Sequence, residues 1–265
     1  MITEYYRPQT LDEALKLLAY PDTRPLGGGT VLMQKSDASF AVVDLQALGL
    51  DKIHKAGGKL EIGAAATLSL LLDSPHIPPA LAAALRLEAP LNLRNMGTVA
   101  GALVACDGRS AFATVMLALD AKMIIAPGNE QLALGDYLPL RAGVDGIRPG
   151  GHLGEQSGGH HPPLQGKLIT AVSIFLNVKL TFESVARTPT DRPIVCAALT
   201  QWPTGRTRLA LGGWGATPLL AMDGNEPGGV EEAARNAFAE AGDEWASAEY
   251  RREIAGVLAK RCLEE

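Results

Sequence analysis

The stretch "GVDGIRPGGHLGEQSGGHHPPLQG", residues 143–166, divides the chain into two unlike halves. Glycine and proline dominate it, so neither a helix nor a strand propagates through it. A segment of this length without periodicity reads as a long loop or linker. Before it, apolar segments alternate between helical and strand periods. After it, four strand-like runs follow in close order and two helices end the sequence. A chain of 265 residues has room for two or three small cores. The two halves predict an α+β fold made of separate packed units. Three of the five histidines, His152, His160 and His161, sit in the break. They read either as a metal-binding tract or as loop residues. No carboxylate or cysteine cluster accompanies them, so no metal ligand is assigned.

The first half opens with a well-marked helix. In "TLDEALKLLAYP", Thr10 and Glu13 have capping-box spacing, Leu11, Ala14, Leu15 and Leu18 form one apolar face, and Pro21 ends it. "FAVVDL" (40–45) and "KLEIGAAA" (59–66) read as strands. Thr67 caps a predicted helix through Leu72, and 79–87 is helical. "FATVMLALDA" (112–121) predicts a helix and "KMIIA" (122–126) a strand. In the second half "KLITAVSIFLNV", "KLTFESV", "PIVCAALTQW" and "RTRLALGGWG" read as successive strands of one antiparallel sheet. Helices follow at about 229–240 and 247–263, the second with Tyr250, Ile254, Val257, Leu258 and Cys262 on its apolar face.

Composition excludes several classes. A net charge of −5 leaves no basic footprint for nucleic acid. Aromatic content of 5% is too low for a base-stacking platform. "MITEYYRP" lacks the apolar core of a secretory signal, and no apolar run has the length of a membrane span. Cys106, Cys196 and Cys262 are far apart and make no CxxC pair, so they read as reduced, buried thiols and the cytoplasm as the expected compartment. No Ser–His–Asp set, paired carboxylates or metal cluster is seen, and no catalytic residue is assigned.

Two glycine segments remain: Gly27-Gly28-Gly29-Thr30 and Gly97-Thr98-Val99-Ala100-Gly101. Glycines let consecutive backbone N–H groups turn toward an anion and let a diphosphate approach without striking a Cβ. Thr30 and Thr98 add hydroxyls. Neither segment ends in the GK[ST] of a Walker A loop, and neither is a Rossmann GxGxxG. From the residues alone, each reads as a tight turn or as half of a diphosphate clamp.

The order "RPLGGGTVLMQ", "VVDL", "IGAAATLSLLL", "LRNMGTVAGALVACDGRSAFATVMLALDA" resembles the FAD-binding subunit of the molybdenum hydroxylases. That family includes the medium subunit of carbon monoxide dehydrogenase and the flavin domain of xanthine dehydrogenase. "LITAVSI", "VARTPTDRPIVCAAL" and "EYRREIAGVLAKRCLEE" are similar to its C-terminal domain, so the resemblance spans nearly the whole chain outside 143–166. It implies an α+β protein. A two-subdomain FAD-binding domain of the vanillyl-alcohol-oxidase/PCMH type (1–55 and 56–142) is followed by the 143–166 linker and a C-terminal α+β domain (167–265) with an antiparallel sheet.

The resemblance also implies FAD as cofactor, held by Gly27, Gly28, Gly29, Thr30 and Val31 from the first segment and by Thr98 and Gly101 from the second, with further contacts at Asp107 and Ser110. The sequence departs from the family pattern at Ala100, Ala102 and Ala111, where a Gly, an Asn and an Asp are usual. Asp191, preceded by Arg187, aligns with a family turn and reads equally as an exposed charge. The implied role is an oxidoreductase subunit. It would pass electrons from a partner iron–sulfur (2Fe–2S) subunit, itself supplied by a molybdopterin-binding subunit, to NAD, a quinone or oxygen. The alternatives are a flavin-poor assembly subunit of the same fold and a stand-alone FAD oxidoreductase. No His or Cys in a flavin-attachment context supports the last.

Overall fold

The computed structural model describes residues 1–34, 38–144 and 166–265. Apart from its ends, the Gly/Pro/His-rich break lies outside the described residues, and so do His152, His160 and His161.

The chain begins with β1 (Ile2–Tyr6), α1 (Leu11–Leu18), β2 (Thr23–Leu26) and β3 (Phe40–Asp44). The three strands form a parallel sheet in the order β1-β3-β2. Thr10 accepts the Glu13 N–H at 3.3 Å. Glu13 reaches back to the N–H of Gln9 rather than of Thr10, so the box is closed one residue early. Ala14 and Leu18 seal the helix against Val43 and Leu45.

A second sheet is antiparallel throughout. Its strands are β4 (Ile53–Ala56), β5 (Lys59–Gly63), β6 (Lys122–Ala126), β7 (Glu130–Ala133) and β8 (Leu168–Phe175), in the order β4-β5-β8-β6-β7. Here one expectation is corrected. Leu168–Phe175 does not open the later sheet but lies between β5 and β6, bonded to both. A strand's own period states which face is buried and not which strand it pairs with, so two sheets could claim this apolar run.

Between β5 and β6 the chain runs through α2 (Leu68–Leu72), α3 (Pro79–Glu88), α4 (Leu91–Arg94), α5 (Val99–Ala105) and α6 (Ala111–Ala118), and α7 (Leu134–Val144) follows β7. Thr67 caps α2, as its position predicts. Every residue of α6 is buried. This all-round apolar helix packs on α3 and, on another side, on the third sheet.

That sheet holds β9 (Lys179–Val185), β10 (Val195–Gln201), β11 (Thr207–Gly212) and β12 (Leu219–Gly224), antiparallel in the order β12-β11-β10-β9. α8 (Val230–Ala237) and α9 (Ala248–Glu264) cover the side away from α6. β10 and β11 are therefore buried on both faces, which is why "VCAAL" and "LALG" are continuous apolar runs instead of alternating ones. The inward face of α9 differs from the predicted one. Tyr250 and Val257 are exposed, and Arg251, Ala255, Leu258, Ala259 and Cys262 point in. Arg251 is buried because its guanidinium binds the carbonyls of Ile194, Ala241 and Ala246 and the Asp243 carboxylate. The three cysteines are buried and free, and burial pushes each thiol up to about 12.

Candidate functional site

The first glycine segment leaves the carboxyl end of β2 and turns through Gly29, whose φ of +68° suits glycine. Gly27 and Gly28 are there for a different reason. A Cβ on Gly27 would lie 2.8 Å from the Thr98 hydroxyl, and one on Gly28 would lie 1.7 Å from the Met96 carbonyl oxygen. The Thr30 hydroxyl lies 4.0 Å from where a Cβ on Gly97 would be. Two glycine segments some seventy residues apart are thus pressed together, backbone to backbone. Residues 27–32 are at least partly exposed, and their backbone N–H groups have no acceptor among the described residues. A diphosphate asks for donors of this kind, and residues 27–32 offer them, three of them from glycines.

The second segment looks similar in sequence and is built differently. Thr98 is the N-cap of α5, and its hydroxyl accepts the Gly101 N–H at 3.2 Å. Residues 99–101 are the first turn of a helix, not a loop. The other N–H groups are also engaged: Gly97 to Leu93, Val99 to Ala66, Ala100 to Ala64 and Ala102 to Thr98, each through a carbonyl oxygen. Only the Thr98 N–H has no acceptor among the described residues. The segment offers the Thr98 edge and a surface for the first segment to rest on.

Asp107 and Ser110 lie in the turn between α5 and α6. Ser110 is fully buried and caps α6 by accepting the Ala113 N–H, while its hydroxyl donates to the Glu88 carboxylate at 2.9 Å. Glu88 also accepts the Phe112 N–H. Burial raises the Glu88 carboxyl above the usual glutamate range, against the lowering pull of Phe112 N–H, Arg192 and Ser110. Asp107 accepts the Arg109 N–H and grips the Arg192 guanidinium with both oxygens.

The same turn is stitched to the third sheet. Arg109 donates to the carbonyls of Arg192 and Pro193, Gly108 donates to Gly215 at 3.0 Å, and Gly213 donates to the Gly108 carbonyl at 2.6 Å. A Cβ on Gly108 would lie 1.9 Å from the Trp214 carbonyl oxygen. Arg192, Glu88 and the 213–215 turn were not visible as partners in the sequence. No local pattern marks a contact made across some twenty to a hundred residues.

The structure therefore brings Gly27, Gly28 and Thr30 against residues 96–98, with Gly29 and Val31 beside them in the chain and Gly101 at the Thr98 hydroxyl. It sets Asp107 and Ser110 against Arg192 and Glu88. Among the described residues no group of three or more His, Cys, Asp or Glu is gathered as for a metal, and no helix is long and apolar enough to cross a membrane.

These segments sit on a mixed α/β scaffold with antiparallel sheets. Residues 1–145 match the FAD binding domain in molybdopterin dehydrogenase, and the chain belongs to that family, whose cofactor is FAD. The uncharacterized protein YgfM of Escherichia coli K12 is 29% identical over 97% of this chain and 94% of its own length. The putative xanthine dehydrogenase FAD-binding subunit XdhB of the same strain is 37% identical over 46% of this chain and 45% of its own. Among solved structures, a cyanide-inactivated Cu,Mo-CO dehydrogenase superposes with a TM-score of 0.75 at 24% identity, covering 100% of this chain and 97% of the other. Relatives of the chain are thus named as flavoprotein subunits of dehydrogenases.

Proposed function

We propose that this chain is the FAD-binding, electron-transfer subunit of a molybdenum hydroxylase complex. In this reading it receives electrons from a 2Fe–2S subunit served by a molybdopterin-binding subunit and delivers them to an external acceptor: NAD, a quinone or oxygen. The supporting observations are the packing of Gly27 and Gly28 on residues 96–98 and the N–H groups of 27–32, which have no acceptor among the described residues. Gly27, Gly28, Gly29, Thr30 and Val31 would hold the diphosphate of FAD, with Thr98 and Gly101 as the opposite wall. Asp107 and Ser110 would hold the turn that completes this wall. Bound FAD supplies the redox chemistry; the chain binds it, orients it and sets its electrostatics. The reading includes a PCMH-type division, with subdomains at 1–55 and 56–142 and a C-terminal domain closing on the isoalloxazine side.

A second reading is a flavin-poor assembly subunit. It draws on the alanines at 100, 102 and 111 and on the internal engagement of Asp107 and Ser110. One spectrum separates the two. The purified protein should absorb in the near-ultraviolet and blue and release FAD on denaturation. A colourless, folded preparation that takes up no added FAD would leave the second reading standing. Recovery of iron–sulfur and molybdopterin subunits with the tagged chain checks the partners.

A further inference from the structure

Trp245 is partly exposed and carries two guanidinium groups. The Cζ of Arg109 lies 4.4 Å from the ring centroid and that of Arg187 lies 4.6 Å away. The cations around it have different obligations. Arg109 donates to the carbonyls of Arg192 and Pro193. Arg192 is forked onto Asp107, and Arg251 is paired with Asp243 at 2.7 Å. Arg187 has no hydrogen bond and no ion pair among the described residues, and its charge is held only by the indole. It also lines an open depression of about 360 Å³, together with Leu87, Ser184, Val185, Ala186, Thr188 and Pro189.

We propose that Arg187 and this depression form a binding site for a small oxyanion on an apolar body, a phosphate ester or a carboxylate. A guanidinium stacked on an aromatic face keeps its N–H edge free and pre-oriented for two parallel bonds to an oxyanion. Leu87, Val185 and Pro189 offer an apolar wall, and the Ser184 and Thr188 hydroxyls can donate beside it. Asp107 and Asp243, the two carboxylates that act on Arg109, are already matched by Arg192 and Arg251. Two guanidiniums on one indole bring like charges together, and an anion bound at Arg187 would relieve their repulsion. A volume of about 360 Å³ suits a ligand of one ring.

The test uses the full chain saturated with FAD, so that the glycine segments are covered. Phenyl phosphate and benzoate are titrated separately, followed by calorimetry and tryptophan emission, with inorganic phosphate as the probe lacking a ring. Saturable binding of at least one ring-bearing probe is expected, stronger than that of inorganic phosphate, and the preferred probe identifies the oxyanion. Arg187→Gln should weaken it by at least about tenfold, the loss of one charge-assisted contact. Arg187→Lys should give an intermediate affinity, and Arg206→Gln should leave it unchanged. Trp245→Phe should remove the emission change while heat of binding persists. Absence of saturable binding by both ring-bearing probes overturns the proposal, as does equal affinity in the wild type and Arg187→Gln with both proteins folded by circular dichroism.

Discussion

Residues 27–32 and 97–102 share glycines and a threonine, yet their backbones are employed in opposite ways. In the first, no N–H group has an acceptor among the described residues; in the second, all but one of the N–H groups are bonded within the chain. The difference follows from what comes next. After residues 27–30 the backbone goes into turns, where no described residue claims the donors. After Thr98 it goes directly into α5, whose first turn takes its N–H groups. A glycine in a phosphate-binding pattern therefore has two separable uses, to expose donors or to let another segment come close. Here the first segment combines both uses and the second supplies the surface it rests on, a division of labour between the two.

The largest test of this division is Gly28→Val. Its side chain would run into the Met96 carbonyl and part the two segments rather than fill the ligand's space. Overpacking at such a contact should cost about 3 kcal/mol of stability and weaken FAD by about a hundredfold, checked by urea unfolding and flavin titration. Ser110→Ala removes the α6 cap and a donor to half-buried Glu88, at about 2 kcal/mol, with flavin affinity almost untouched. Thr98→Ala sharpens the comparison most directly. It should cost about 1 kcal/mol through the lost cap, lowering the melting temperature by about 2–4 °C. Because the second segment offers few donors, FAD affinity should fall by less than about threefold. A tenfold loss would show that both segments bind alike.

Two smaller effects concern the turn behind the site. Arg192→Met breaks a pair whose side chains are 39% and 35% exposed, so after screening its stability cost is about 0.5–1 kcal/mol and shrinks in high salt. Glu88→Gln should change the pH dependence of stability. The folded chain holds the Glu88 proton to higher pH than the unfolded chain does. This contribution is therefore complete below the ordinary glutamate range and is lost as pH rises through the folded value. The variant should have flatter urea midpoints from the ordinary glutamate range upward. Asp223 and Asp243 have the opposite sign. The Arg206 hydrogen bond holds Asp223 low, and Arg251 holds Asp243 low despite burial, so their support is lost as pH falls.

What could be read from the sequence was whatever a few neighbouring residues decide. Thr10 and Thr67 announce helix starts because capping is local, and the apolar runs of α6 and β10 announce burial because period and composition suffice. The helical turn at residues 99–101 was hidden by Gly101, which suits a loop as well as a cap. Arg251 was hidden on the core face of α9 because its four partners lie on other segments. The two glycine segments were visible one at a time. Their contact was not, since nothing near Gly28 in sequence refers to Met96.

The place of β8 bears on how this protein can be cut. It follows the Gly/Pro/His-rich segment, yet it is the middle strand of the sheet that carries the first half. A fragment ending at residue 145, where the family match ends, would keep β5 and β6 with an empty slot between them. A fragment starting at 166 would carry an orphan strand with both hydrogen-bonding edges bare. Each piece alone is therefore expected to aggregate, and the two expressed together to find each other through that slot. A dissection of the chain that respects its sheets falls in the short crossing between Phe175 and Lys179, with 1–145 and β8 kept on the same side.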